Sequence, residues 1–210
     1  MKSLLIGITG NIGSGKTLYS SFMKKYNIPI YYSDKRGKII MNKSNLLKSN
    51  IIKYFGKNSY TKMGIINSSY LSKIVFQNSY ALKLLCKLIY PLIKIDFELW
   101  KKSLLINNFP PYLIKESATL FESGSYKNCD IIIVLNSSLE NKIKRIIKRD
   151  NLNELQIINR LNNQLKINDI KVNSNNIIII DNNLSIDQLK KKSHKIHKTI
   201  IKKINYGKRR

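Results

Sequence analysis

One segment limits what this chain can become more than any other: Gly10-Asn11-Ile12-Gly13-Ser14-Gly15-Lys16-Thr17. It fits the spacing G-x-x-x-x-G-K-[ST]. Its context also fits, because it follows an apolar run at residues 4–9 and opens a helical pattern at 16–26 with Leu18, Phe22 and Met23 as its apolar positions. Glycines let the backbone turn so that successive N–H groups point inward as an anion nest. The helix N-terminus adds its partial positive charge at the same point. In such a loop Lys16 reaches the β- and γ-phosphates of ATP, Thr17 sets its hydroxyl on Mg²⁺, and the amide of Leu18 meets the α-phosphate. The expected nucleotide-binding set is therefore Asn11, Ile12, Gly13, Ser14, Gly15, Lys16, Thr17 and Leu18, with Thr17 as the metal ligand.

The rest of the chain supplies a frame for that loop. Residues 28–32 read as a second short strand, so strand, loop, helix and strand follow within about 30 residues as a βαβ unit with a right-handed crossover. Apolar residues then recur at helical spacing from 35 to 107, with a break expected near Pro91. This stretch is too long for one crossover helix and reads as a helical insertion that builds a substrate site. After Pro110-Pro111, strands are expected at 112–114, 130–136 and 177–180. Helices are expected at 139–149, 157–165 and 186–204, with a frayed tail at 207–210. The fold class is α/β, with a five-stranded parallel sheet between helical layers. The nucleotide-binding core is assigned to residues 1–34, 108–150 and 171–210, the substrate insertion to 35–107 and a small lid to 151–170.

Composition adds a charge of +26, from 38 Lys+Arg against 12 Asp+Glu. A basic protein invites a nucleic-acid reading. Its make-up argues otherwise: 32 of the basic residues are Lys and 6 are Arg, alongside 36 Ile and 25 Asn. Those three abundant types share A/T-rich codons, whereas a surface that reads phosphates and bases would favour the planar fork of Arg. The excess Lys is read as compositional drift, with no nucleic-acid partner. Cys86 and Cys129 stand far apart with no CxxC, which excludes a disulfide framework and a cysteine zinc site. The opening apolar run is five or six residues, and no stretch reaches the roughly 18 apolar residues of a membrane span. A cytoplasmic protein, off the membrane, is expected. For its assembly a monomer is expected, with an oligomer left open.

Twelve acids can be inspected one by one. Asp34 ends the second strand, at the carboxyl end of a parallel sheet where ligands bind, and can take a proton from an attacking hydroxyl or hold Mg²⁺ through water. A helix N-cap is its alternative role. Glu116 and Glu122 flank the segment after the third strand; Glu122 suits a substrate or Mg²⁺ contact or local capping, and Asp130 reads as a cap or turn. Arg145 and Arg149 lie four apart on one helix face and suit phosphate oxygens. Arg160, in the polar lid segment, can bring a cation to the transferring group and help exclude water. His194 and His197 read as surface residues of the last helix.

Taken in order, ITGNIGSGKT, IPIYYSD, IKESATLFESGSYKNCD, KRIIKRD, NRLNNQ and IIIIDNN resemble the dephospho-CoA kinase family across residues 3–190. The resemblance implies a P-loop core in a three-layer sandwich, a helical CoA-binding part and a lid. It implies transfer of phosphate from ATP, with Mg²⁺, to the 3′-hydroxyl of dephospho-CoA, giving CoA and ADP. It also implies Asp34 as the base, with Lys16 and Arg145 on the ATP phosphates and Arg149 as a close alternative. Asp34, Glu122 and Arg160 form the expected acceptor set. The chain departs from the family pattern at Asn11, where many relatives carry Gly, and at Tyr90-Pro91, where a His-Pro is usual. It departs again at Tyr32, where an outer acid is lost, and at Ala118-Thr119. Asn tolerates positive φ better than most residues, so the loop is expected to survive Asn11. Two other readings remain: a nucleoside or nucleotide kinase of the same architecture, and a basic P-loop protein that binds nucleic acid.

Overall fold

The computed structural model describes residues 3–105, 110–150, 154–162, 164 and 176–207. Among the described residues there are five strands: β1 (Leu4–Thr9), β2 (Ile30–Tyr32), β3 (Tyr112–Glu116), β4 (Ile131–Asn136) and β5 (Ile177–Asp181). They form one sheet in the order β2-β3-β1-β4-β5, and every neighbouring pair is parallel. β1 and β4 are near-continuous apolar runs because both faces of a parallel sheet are covered, and β3 is buried throughout although it ends on Lys115 and Glu116.

One face carries Ile6, Ile8, Tyr112, Ile114, Ile131 and Ile133. These pack on α1 (Lys16–Met23) and α8 (Ile186–Gly207) through Tyr19, Met23, Leu189 and Ile200. The other carries Leu5, Tyr31 and Leu113 against Phe97, with Leu120, Ile132 and Val134 beside them. This is the expected three-layer arrangement. β3 runs two residues beyond the expected 112–114, so its last residue, Glu116, is part of the ladder opposite Ile8 and Tyr32.

Four helices separate β2 from β3: α2 (Ser33–Lys43), α3 (Asn45–Phe55), α4 (Ser68–Gln77) and α5 (Ser79–Leu105). They share a core of their own around Leu47, Ile51, Phe55, Leu71, Val75 and Ile89. The expected break near Pro91 is not there: α5 runs through it for 27 residues, roughly 40 Å at 1.5 Å per residue. Proline removes one backbone bond, but packing on both sides outweighs that loss. Ile89 is buried in the insertion core and Phe97 against the sheet, so α5 spans the two. Tyr31 donates to Asp96 at 2.6 Å, and Arg36 grips the same carboxylate with two nitrogens, its Nε at 2.8 Å. That junction ties β2, α2 and α5 together and holds the first turn of α2, which carries Asp34.

α6 (Leu139–Asp150) and α7 (Glu154–Asn162) follow β4. The helix expected at 157–165 thus begins three residues earlier, while residues 163, 165–175 and 208–210, parts of the lid, core and tail assignments, lie outside the described residues. His197 is not a simple surface residue: its ring stacks on Tyr26 at 3.8 Å, and its Nδ1 bonds the Tyr112 hydroxyl at 2.8 Å.

Candidate active site

The loop between β1 and α1 turns through positive φ at Gly10 (143°), Gly13 (78°) and Gly15 (94°). Each of the last two also meets a close neighbour. A Cβ on Gly13 would lie 2.9 Å from the Lys142 carbonyl oxygen, and one on Gly15 would lie 2.3 Å from the Asn182 side-chain nitrogen. Asn11 needs no tolerance of positive φ, since among the described residues Asn27 is the non-glycine with that conformation. The loop thus holds Asn11 without calling on the positive φ that its residue type was expected to tolerate.

Lys16 is 8% exposed and donates to the carbonyl oxygens of Gly10 (2.6 Å) and Asn11 (3.1 Å). Burial lowers its pKa, while Asp34 and Glu116 pull it back up. The Thr17 hydroxyl lies 3.5 Å from Glu116 Oε1. Arg145, on α6, reaches across the loop: it donates to Gly13 O (3.3 Å), Ser137 Oγ (3.1 Å) and Asn182 O (2.8 Å). Asn182 in turn donates to Ser14 O at 2.8 Å. These bonds clamp the loop to the carboxyl ends of β4 and β5. Arg149 is held by Asp150 through two bonds of 2.7 Å.

Ile12, Gly13, Gly15, Lys16, Thr17, Leu18, Arg145 and Arg149 line a cavity of about 560 Å³ together with Asp34, Glu116, Gln164 and Asn182. The Ile12 N–H donates to Gln164 Oε1 at 2.8 Å. A second cavity of about 390 Å³ opens toward α5, walled by Tyr90, Phe97, Lys115 and the hydroxyls of Ser117, Thr119 and Ser123. Among the described residues Asp34 alone lines both cavities. It is accessible to water yet crowded by protein at the meeting of the two. That crowding raises its pKa; Lys16 and a bond from the Ala118 backbone act the other way. Tyr90 bonds Thr119 and Cys86, and burial raises its pKa.

Glu116 was the residue that sequence reasoning left without a role. It is 5% exposed, its Oε2 has no hydrogen-bond partner, and burial pushes its pKa up to about 7. Neighbouring Asp34 adds to the rise. An orphaned carboxylate oxygen beside a threonine hydroxyl fits a hard cation that keeps water and nucleotide phosphates as its other ligands. Thr17 and Glu116 are thus the residues present that suit Mg²⁺. Asn182 and Gln164 likewise line the site without a motif that marks them in the sequence. The only sequence signal for all three was polarity just beyond an apolar strand or helix.

Two expected residues lie elsewhere. Arg160, on α7, sits 5.3 Å over the Phe76 ring of α4 and does not line the phosphate cavity. α7 packs on both α6 and α4, and Arg160 meets that ring at the α4 side. Glu122 is exposed and lines neither cavity, though its charge is felt by Lys16 and Tyr90.

Glu116→Gln provides a check on this electrostatic picture. The folded chain holds the Glu116 proton more tightly than the unfolded chain, whose carboxyl keeps its ordinary value of 4.5. Ionisation therefore costs stability in full above about pH 7, and the cost fades as pH falls toward 4.5. The variant is expected to be more stable than the parent at pH 8, by at most on the order of 3 kcal/mol, and no more stable near pH 4.5. Thermal melts across that range measure it.

A family model described as dephospho-CoA kinase matches residues 4–188. The dephospho-CoA kinase of Fusobacterium nucleatum is 34% identical over 204 residues, covering 95% of this chain and all of that one. Among solved structures, the dephospho-CoA kinase from Campylobacter jejuni is 27% identical with a TM-score of 0.64, covering 93% of this chain and 96% of that one. TT1252 from Thermus thermophilus, 20% identical, shares the fold with a TM-score of 0.73 over 95% and 98% of the two chains.

Proposed function

The chain belongs to the dephospho-CoA kinase family, and from that premise we propose that Asp34 receives the proton as the 3′-hydroxyl of dephospho-CoA attacks the γ-phosphate of ATP. The reaction gives CoA and ADP. Asp34 at the shared wall of the two cavities carries this reading: a group that serves a donor on one side and an acceptor on the other must stand where both can reach it. The cavity around the glycine loop takes ATP, and the cavity against α5 takes dephospho-CoA.

Phosphoryl transfer asks the protein for positioning and for charge where the equatorial oxygens develop it. The loop amides from Asn11 to Leu18 cradle the phosphates. Lys16 exchanges the carbonyls of Gly10 and Asn11 for phosphate oxygens, and desolvation sharpens its pull. Arg145 keeps Gly13 and Asn182 in place and presents its edge to the same cavity, with Arg149 beside it. Mg²⁺, held through Thr17 and Glu116, would neutralise charge between the β- and γ-phosphates. A carboxylate with a raised pKa, as at Asp34, is better matched to taking a hydroxyl proton than a free one.

Residues 35–107 serve as the acceptor-binding insertion, 151–170 as the lid, and 1–34, 108–150 and 171–210 as the nucleotide core. We also propose a cytoplasmic monomer: both cysteines are free thiols, as in a reducing compartment, and a charge of +26 resists self-association.

A coupled assay of ADP release with ATP and Mg²⁺ tests the reading. Dephospho-CoA is expected to support turnover at least 100-fold faster in kcat/KM than adenosine or a nucleoside monophosphate, the scale of a lost polar recognition set. A nucleoside acceptor preferred over dephospho-CoA would replace this reading with that of a nucleoside kinase.

A further inference from the structure

We infer that Lys115 is the specificity residue that holds the diphosphate bridge of dephospho-CoA in the acceptor cavity. The inference rests on the reading above. Lys115 and Glu116 are consecutive in β3, so their side chains leave opposite faces of the sheet. Glu116 lines the nucleotide cavity, and Lys115 lines the cavity against α5, which Asp34 also lines.

Lys115 is 4% exposed, an uncommon place for an ammonium. Its three N–H donors find one acceptor, Ser125 Oγ at 3.1 Å, which also accepts from Ser123 at 3.0 Å. Its Nζ lies 4.4 Å from the centroid of the Phe97 ring, a partial compensation. No carboxylate stands within ion-pair distance of it among the described residues. Glu98 lines the same cavity and acts on it only at longer range, with Lys94 opposing. Burying an ammonium with so little in return weakens the fold, and a neutral residue of similar volume would pack there at lower cost.

A charge kept in such a place, with two donors unspent and facing a cavity, is matched by an anion that enters the cavity. Dephospho-CoA brings one of the right kind. Its diphosphate joins the 5′-oxygen of the adenosine to the pantetheine arm. The 3′-hydroxyl and the 5′-carbon sit on adjacent ring carbons, so a ribose with its 3′-hydroxyl at Asp34 can set the bridge in the cavity that Asp34 and Lys115 both line. A diphosphate accepts several hydrogen bonds at once, which suits the two free N–H groups and the hydroxyl proton of Ser125.

The test compares the parent enzyme with Lys115→Met and Lys115→Gln. Rates are measured against dephospho-CoA and against ATP. Adenosine, which lacks the diphosphate, is the competitive inhibitor against dephospho-CoA at saturating ATP. Both variants are expected to raise KM for dephospho-CoA about tenfold or more, the scale of one lost charged hydrogen-bond set. KM for ATP and the inhibition constant of adenosine should stay within about twofold of the parent, since neither touches the lost group. The Met variant should melt at or above the parent temperature, which a merely structural lysine would not allow. An unchanged KM for dephospho-CoA, or an equal loss for adenosine, would overturn the inference while leaving the kinase reading in place. A parent enzyme that fails to turn over dephospho-CoA would overturn both.

Discussion

Asp34→Asn is expected to lower kcat by about 10²- to 10⁴-fold, the range for loss of a positioned general base. ATP affinity should change little. The carboxamide keeps the shape of the side chain and can still accept from the Ala118 backbone, so the wall between the two cavities stands. What is lost is the ability to take a proton. Because crowding already raises the Asp34 pKa, a neutral group there should not destabilise the fold. Titration calorimetry with a non-hydrolysable ATP analogue, beside single-turnover rates, separates the possibilities. A variant that keeps its rate excludes Asp34 as the base; one that loses ATP binding marks it as a metal or structural group. In the parent enzyme the rate should fall as pH drops, because protonation removes the base. Asp34 and Glu116 feel each other's charge, so that fall reports the pair rather than either residue.

Lys16→Met should also cripple catalysis, with phosphoryl transfer reduced by about 10³-fold or more. It should be harmless to the fold. Met fills nearly the same volume as the lysine stem, and the lysine charge already pays for its burial, as its lowered pKa shows. Melting temperature and rate, measured on one preparation, therefore move apart. A variant within about tenfold of parent activity would remove Lys16 from the transition state, since a single lost phosphate contact of this kind exceeds that factor. Joint loss of stability and activity would instead point to a role in holding the loop through Gly10 and Asn11.

These two residues were legible in the sequence because their neighbourhood is local. The glycines, Lys16 and Thr17 lie within eight consecutive positions, and loop conformation follows from residues that touch along the chain. Asp34 lies one βαβ unit away, and the handedness of that unit brings it to the same sheet edge. Glu116 required more. Its role depends on β3 inserting between β1 and β2, a strand order that apolar runs alone do not specify. Asn182 is likewise placed by β5 pairing with β4. Arg160 was not placeable in the same way: a cation in a polar segment says nothing of which ring its helix faces, and tertiary packing sets it over Phe76. Pro91 was over-weighted for a similar reason, since a local breaker lost to burial on both of its sides.

The abundance of lysine hid the rest. As one of 32 in the chain, the lysine at position 115 reads as drift, and composition cannot distinguish it from lysines on outer helix faces. By itself the sequence determined the phosphate loop, the parallel α/β class and the family, because those are written in contiguous residues and in their order. Tertiary structure alone decided which charges share a cavity. Strand order and helix packing set the distances between residues up to 168 positions apart, as in the bond from Asn182 to Ser14. The strength of any charge depends on those distances and on the water that packing removes.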